Sequence, residues 1–171
     1  MSKRELKKFL NQLPKSELEA QIVALYDKFI PVKTYFDFVF NPKEDQLVND
    51  AKVKISLEFY PLKRKRPKMR RSVAQKFIKH FISLGVDDFM IADLMLYAIE
   101  IAQTYTDQKT INSELFFKSM LSSYEQAIRF MIEKGILNEF QNRVEAIKEE
   151  TIRQNWFNQY EFIAITERFE Y

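Results

Sequence analysis

Apolar residues recur at helical spacing along nearly the whole chain. Leu47, Ala51, Ile55 and Phe59, for example, fall every four residues. This spacing places side chains on one face of an α-helix. Residues 89–105 are apolar on most of the helical circumference, a pattern typical of a helix surrounded by others. We therefore predict an all-α fold, an irregular multi-helix bundle or short helical array of seven to nine helices.

The predicted helices are separated by recognisable start and stop signals. Ser2 and Glu5 have the spacing of a capping box, in which the side chain of each binds a backbone N–H of the other. Asn41 followed by Pro42 predicts another helix start, because asparagine caps helices well and proline suits the first helical position. Gly85 predicts a helix end in the left-handed conformation.

Around Gly85 the pattern predicts two further helices. The first opens at Ser72. The residues of this helix that we predict to face the core are Val73, Phe77, Phe81 and Leu84. The second begins after Asp87 or Asp88, whose side chains suit a helix cap.

Two segments fit a strand as well as a helix. Residues 31–40 are dense in aromatic side chains, and residues 156–171 combine isoleucine, threonine and aromatic residues. The neighbours of the first segment are helical, and the second has no obvious partner strand. We predict a helix for both.

Composition narrows the domain organisation and the chemistry. A chain of 171 residues has the usual length of one domain, and we predict a single helical domain over residues 1–171. Two glycines are too few for turn-rich β folds or for glycine-rich phosphate-binding loops. The sequence has no cysteine, which excludes disulfides, zinc–thiolate sites and thiol catalysis.

The positive charge of the chain is concentrated in one segment. The net charge is +3, yet residues 1–60 carry only +1 and residues 72–171 carry −5. Seven cations lie between Lys63 and Arg71. They repel one another, and two prolines disfavour a helix there. We therefore predict a flexible cationic loop at residues 61–71.

Three segments together resemble a known family. They are KRELKKFLNQL at residues 3–13, FVFNPKE at 38–44 and RRSVAQKFIKHF at 70–81. In these the chain is similar to an uncharacterised family of small all-helical bacterial proteins, of the domain-of-unknown-function class. The resemblance implies a helical fold and a bacterial cytoplasmic setting, and it implies no activity, substrate or ligand.

No cluster of residues predicts catalysis or a cofactor. His80 is the only histidine, and it lacks the orienting partner that a general base usually needs. The residue three positions before it is Phe77, so the Glu-x-x-His pattern of di-iron bundles is absent. Asp93 and Glu100 are the best carboxylate pair, and we interpret them as solvent-facing or salt-bridged. We predict no catalytic residues, no metal and no cofactor.

The cationic loop fits a polyanion, of which nucleic acid is the natural example. Proteins that bind single strands usually place aromatic rings beside such charge, and Tyr60 is the only aromatic residue next to the run. We interpret the chain as a non-enzymatic binding module that engages nucleic acid or another polyanion. The predicted binding residues are Lys63, Arg64, Lys65, Arg66, Lys68, Arg70 and Arg71.

Other interpretations of the loop stay open. It is a solvated connector, or it pairs with the carboxylates of Glu145, Glu149 and Glu150. The alternative function is a protein–protein interaction adaptor in which the basic run is only a solvated connector, since helical arrays rich in Phe and Tyr suit grooves that bind other helices. We expect no membrane partner, because no window has the roughly 18 apolar residues of a membrane span. We expect a cytoplasmic location, because the first residues lack the apolar stretch of a signal peptide.

Overall fold

This computed structural model describes residues 2–63 and 66–169. Within them the chain forms nine α-helices and no β-strand. In chain order they are α1 Lys3–Leu10, α2 Lys15–Lys28, α3 Ile30–Phe40, α4 Glu44–Phe59, α5 Arg71–Leu84, α6 Asp88–Gln108, α7 Glu114–Lys134, α8 Leu137–Arg153 and α9 Gln159–Phe169. The all-α prediction is confirmed. It holds for the two ambiguous segments as well, because their regular parts are α3 and α9.

The chain divides into two compact units, Met1–Lys43 and Glu44–Tyr171. The single domain predicted over residues 1–171 stays a prediction. The first unit contains α1 to α3 and the second contains α4 to α9. Of the helices in the described residues, none is both long and apolar enough to cross a membrane.

In the first unit, α2 and α3 pack together around Tyr26. Its hydroxyl donates to Asp37 Oδ1 at 2.7 Å, and this hydrogen bond raises the pKa of Tyr26. Its ring lies 6.5 Å from that of Phe36. No residue in α1, α2 or α3 is buried, and Ile30 and Phe40 are each 80% exposed. The unit therefore has aromatic contacts but no enclosed core.

The centre of the second unit is α6, as the apolar pattern predicted. This helix contacts α4, α5, α7 and α8, and its buried residues extend from Ile91 to Gln103. The one polar residue among them, Gln103, donates from Nε2 to the Ile147 carbonyl at 2.8 Å and to Thr151 Oγ1 at 2.9 Å. These bonds to α8 satisfy its buried amide, since an unpaired polar group there would be destabilising.

Most predicted helix boundaries are confirmed. Ser2 and Glu5 form both hydrogen bonds of a capping box. Asp87 caps α6, because its Oδ1 accepts from the Phe89 N–H at 2.9 Å. Gly85 ends α5 with φ of 79°, in the left-handed region that glycine adopts without strain.

The predicted helix start at Asn41 and Pro42 is wrong. The Asn41 N–H donates to the carbonyls of Asp37 and Phe38, both at 3.2 Å, so Asn41 ends α3 instead of starting α4. The next helix begins at Glu44. Because α3 continues to Phe40, Asn41 and Pro42 lie in the connection between α3 and α4.

The helix α5 begins one residue earlier than predicted, and its buried face is predicted correctly only in part. Phe81 and Leu84 are buried as predicted. Ala74 and Ile78 are buried, whereas Val73 and Phe77 are only half-buried. Since α5 carries apolar residues on two adjacent faces, the pattern alone does not distinguish the deeper one. Val73 and Phe77 therefore lie near the surface, beside the cationic loop.

Candidate polyanion-binding site

Glu58, in the last turn of α4, holds the end of the cationic loop (residues 61–71). Its backbone carbonyl accepts from the N–H groups of Lys68 at 3.0 Å and Met69 at 3.1 Å. Its carboxylate accepts from three donors of Arg70: the backbone N–H at 3.2 Å, Nε at 2.9 Å and Nη2 at 2.7 Å. A single residue thus fixes where the chain returns to α5.

The Glu58–Arg70 pair is asymmetric in exposure. The Glu58 side chain is 12% exposed and that of Arg70 is 52% exposed. The hydrogen bonds from Arg70 lower the pKa of Glu58 below its ordinary value, although burial acts in the opposite direction. Glu58 is therefore ionised at neutral pH, and Arg70 is its counter-ion.

The loop backbone adopts an unusual conformation at two residues. Lys63 has φ of 59° and Met69 has φ of 51°. Residues with a Cβ seldom adopt this left-handed region, because it costs roughly 1–2 kcal/mol. The hydrogen bonds to Glu58 offset that cost at Met69.

Arg71 is also held by the fold. Its Nε donates to Ser123 Oγ at 2.8 Å and its Nη2 donates to Gln126 Oε1 at 2.7 Å. Both partners lie on α7, and burial lowers the pKa of Arg71. Two of the seven predicted binding residues, Arg70 and Arg71, therefore have structural partners.

Three other predicted residues, Lys63, Arg66 and Lys68, are exposed. Within the described part of the chain no side-chain hydrogen bond or ion pair engages them, although the charge of Lys68 helps to lower the pKa of Glu58. Arg64 and Lys65, the remaining two, lie outside the described residues. The described loop thus separates into fixed cations at its end and unpaired cations before it.

A cavity of about 430 Å³ lies beneath the loop, and we call it the loop cavity. Its apolar lining comes from Leu57, Pro61 and Leu62. Its charged lining comes from Glu58 and from Lys63, Arg66, Lys68 and Arg70. The unpaired loop cations and apolar side chains therefore line the same cavity.

A second cavity, of about 610 Å³, lies between α4 and α5, and we call it the helix cavity. It shares Leu57, Glu58 and Arg70 with the loop cavity, so the two adjoin. The other apolar lining residues are Val73 and Phe77, and the other polar ones are Lys54, Lys76 and His80.

Phe77 forms the aromatic part of the helix cavity. The Lys54 ammonium lies 5.5 Å from the centroid of its ring, within the range of a cation–π contact. On the other side the ring packs near Phe81, with centroids 6.1 Å apart. An aromatic face therefore lies close to the cationic loop although no aromatic residue interrupts the run itself.

The two cavities together are strongly cationic. Among the described residues that line them, Lys54, Lys63, Arg66, Lys68, Arg70 and Lys76 face one carboxylate, that of Glu58. Arg70 pairs with Glu58, and Lys68 also lies close enough to lower the pKa of Glu58. Six cations against one carboxylate still leave a net positive surface. Opposite charge is what such a surface attracts.

Sequence analysis missed Lys54, Lys76 and Phe77 as parts of this site. One signal for Lys76 and Phe77 was present, since no acidic residue occurs between Glu58 and Asp87. That stretch extends the cationic run well into α5. Lys54 had no comparable signal, because it lies among acidic and basic neighbours on α4.

Asp93 and Glu100, the best carboxylate pair in the sequence, are salt-bridged, which agrees with our interpretation. Arg143 of α8 donates to Asp93 at 2.8 Å and to both oxygens of Glu100 at 2.9 Å. Lys52 lies 2.5 Å from the other Asp93 oxygen. Burial raises the pKa of Asp93, but the hydrogen bonds from Lys52 and Arg143 more than offset this, and the net pKa is lowered.

The predicted pairing of the loop with acidic residues of α8 is not found among the described residues. Glu145 pairs with Lys148, and Glu150 pairs with Arg153. The described cation of the loop that does pair with a carboxylate, Arg70, uses Glu58 instead.

His80 lies on the rim of the helix cavity and is exposed. Its ring is 6.1 Å from that of Phe81. In the described part of the chain, no group of three or more His, Asp or Glu residues is placed to hold a metal ion.

Comparison with known proteins finds one family. Its sequence profile matches residues 1–170, and it is described as a family of unknown function. This confirms the predicted resemblance to an uncharacterised family of helical proteins, and the bacterial setting stays a prediction. No curated protein and no solved structure matches the chain.

Proposed function

The chain belongs to DUF6155, a family of unknown function, and we propose that it is a non-enzymatic binding module for nucleic acid or another polyanion. The observation that carries the proposal is the set of three exposed cations without an ion pair in the described residues, Lys63, Arg66 and Lys68, which line the loop cavity. We also propose that the protein is bacterial and cytoplasmic. The cysteine-free composition and the family resemblance support that setting.

A phosphate backbone matches this surface because each phosphate presents one negative charge to be neutralised. Lys54 and Lys76 at the helix cavity add two cations to the three of the loop. Five phosphate contacts with duplex DNA give a slope of log K against log salt of about −4 to −5. Binding of this kind is strong at low salt and falls steeply as salt rises.

A test should change the loop cations that have no structural partner and leave the others in place. Arg70 and Arg71 hold the loop to Glu58 and α5 to α7, so substituting them perturbs the fold as well as the charge. Lys63, Arg66 and Lys68 make no such contacts in the described residues. Their replacement isolates the binding role.

The test is fluorescence anisotropy of labelled DNA and RNA with the triple variant Lys63→Ser, Arg66→Ser and Lys68→Ser. We expect the salt slope to fall by about 2 to 3, since each lost phosphate contact removes about 0.9 from it. Circular dichroism should show unchanged helix content and thermal stability.

The matched control is Lys3→Ser, Lys7→Ser and Lys8→Ser, which removes the same charge from exposed positions on α1. We expect the control to lose little affinity. Equal losses in both triple variants would show that net charge alone matters and would contradict a site at the loop.

One observation favours the alternative, a protein–protein interaction adaptor. In the described residues of the first unit no side chain is buried, and Ile30 and Phe40 are each 80% exposed. A helix as apolar as α3 is normally covered on most sides. An apolar surface of this kind is typical of a site where another protein docks.

The adaptor proposal is tested by an apolar dye, 8-anilinonaphthalene-1-sulfonate. We expect its fluorescence to rise with the folded protein and to fall with the variant Ile30→Ser and Phe40→Ser. If the folded wild-type protein leaves the dye unchanged, these side chains are covered in the free chain, and the adaptor interpretation loses its support.

A further inference from the structure

We propose that the helix cavity receives an unpaired nucleobase, so that the preferred ligand is single-stranded nucleic acid. This inference rests on the proposed function, because it names the kind of polyanion that the site selects. It concerns Phe77 and its surroundings, whereas the proposed function concerns the charge of the loop.

The helix cavity has the chemistry of a base-binding pocket. Its apolar walls are Leu57, Val73 and Phe77, and its rim carries Lys54 and Lys76. A base has apolar faces, which an aromatic ring and aliphatic side chains can cover, while its attached phosphates need cations nearby. Proteins that bind single strands combine these two features.

The face of Phe77 is reachable from solvent. The Phe77 side chain is half-buried, and Lys54, which is exposed, reaches over its ring to 5.5 Å from the centroid. A flexible ammonium group can leave this position when a base stacks there. Lys54 would then be free to meet a phosphate of the same strand, so base and phosphate contacts support one another.

Tyr60, the aromatic residue that the sequence placed beside the run, is not the better candidate. Its ring packs edge-on against Tyr105, with centroids 5.6 Å apart, and it is not among the residues that line either cavity. Phe77 lines the cavity that adjoins the loop. The stacking surface therefore comes from α5.

The adjoining cavities distinguish a single strand from a duplex. A strand whose phosphates follow Lys63, Arg66 and Lys68 can place a base in the helix cavity, because the two cavities share Leu57 and Glu58. In a duplex the bases are stacked and paired, and a base reaches a pocket only if it is flipped out. A duplex is thus left with the phosphate contacts alone.

The test compares three labelled probes: oligo(dT), an abasic strand of the same length and charge, and a shorter duplex with the same total number of phosphates. With the wild-type protein we expect oligo(dT) to bind at least about tenfold more tightly than the abasic strand, given the usual contribution of stacking. This comparison needs no substitution, so it does not depend on a variant folding.

The variant Phe77→Leu removes the aromatic face and keeps an apolar side chain of similar size. We expect it to weaken oligo(dT) about tenfold and to leave the duplex and abasic probes within about twofold. Phe77→Trp should restore oligo(dT) binding. The matched control is Phe89→Leu, which changes an exposed phenylalanine of α6 outside both cavities.

The outcomes separate the two proposals. If all three probes bind alike and Phe77→Leu changes none of them, the base pocket is refuted while the polyanion proposal stands. If none of the probes binds at low salt, both are refuted. A duplex that binds more tightly than oligo(dT) also overturns the preference for single strands.

Discussion

Replacing Glu58 by glutamine should weaken the fold and strengthen polyanion binding at the same time. The carboxylate of Glu58 accepts three hydrogen bonds from Arg70, the closest at 2.7 Å. It is also the one carboxylate among the described residues that line the two cavities. Glu58→Gln keeps the shape of the side chain and removes its charge.

The expected loss of stability follows from the hydrogen bonds. The glutamine carbonyl can accept from Arg70 Nε and the backbone N–H, but its amide group then faces the Nη2 donor. A hydrogen bond to a charged group contributes about 1.5–3 kcal/mol, and the half-exposed Arg70 side chain reduces this by solvent screening. We expect the free energy of unfolding to fall by about 1 kcal/mol, or Tm by about 2–4 °C.

The expected gain in affinity follows from the charge. A phosphate about 8 Å from the carboxylate is repelled by about 0.5 kcal/mol in water, or about twofold in binding. Because its Nη2 group loses its acceptor and its charge is no longer neutralised, Arg70 can also contact a phosphate, which steepens the salt slope by about 0.9. An unfolded or disordered site would instead lose affinity. Lower stability combined with higher affinity is therefore specific to this geometry.

The difference in unfolding free energy between wild type and Glu58→Gln should depend on pH, which provides a second check. Because the pKa of Glu58 is lowered in the folded protein, its contribution is complete above the ordinary carboxyl pKa of about 4.3. It is lost as the pH falls through the lowered folded-state value. The stability difference between wild type and variant should therefore be constant from about pH 8 to pH 5 and narrow below about pH 4.

Thermal and urea denaturation followed by circular dichroism measure the stability, and anisotropy measures the affinity. The control is Glu114→Gln, whose i,i+4 pair with Lys118 is exposed and should contribute at most about 0.5 kcal/mol. The reasoning is refuted if Glu58→Gln is as stable as wild type at pH 7, or if the difference widens as the pH falls below 4.

Three further substitutions probe the second unit by thermal denaturation. Asp87→Ala removes the cap that accepts from the Phe89 N–H and should cost about 1 kcal/mol; an unchanged Tm would mean that water replaces the cap. Gly85→Ala puts a Cβ at φ of 79° and should cost about 1–2 kcal/mol, unless the helix end shifts. Arg143→Lys loses the two-point contact with Glu100 and should cost about 1 kcal/mol after screening at this partly exposed site; full stability would show that one ammonium suffices.

The helices were predictable because their signals are local. The capping box of Ser2 and Glu5 and the cap at Asp87 each act within three residues, so the sequence alone contains both partners. Asn41 was read wrongly for a related reason. It has the properties of either a helix start or a helix end, and only the extent of α3 decides between them.

The cationic loop was predictable as a charged segment, but its division into fixed and unpaired residues was not. Arg71 bonds to side chains 52 and 55 residues further along the chain, and no local pattern indicates which cation finds such partners. Phe77 was assigned to the core because it has helical spacing with other apolar residues. Only the packing of α5 shows that Ala74 and Ile78 occupy the core and leave Phe77 beside the loop.

The most direct test of the central claim is the affinity of the wild-type protein for a labelled oligo(dT) strand between about 50 and 300 mM salt. We predict binding at the lowest salt with a slope of log K against log salt of about −3 or steeper, from five cations at about 0.7 each. Affinity should then fall by about two hundredfold or more across this range. No binding at 50 mM salt, or binding with a slope shallower than about −1, would contradict the account and leave the cationic loop as a connector between α4 and α5.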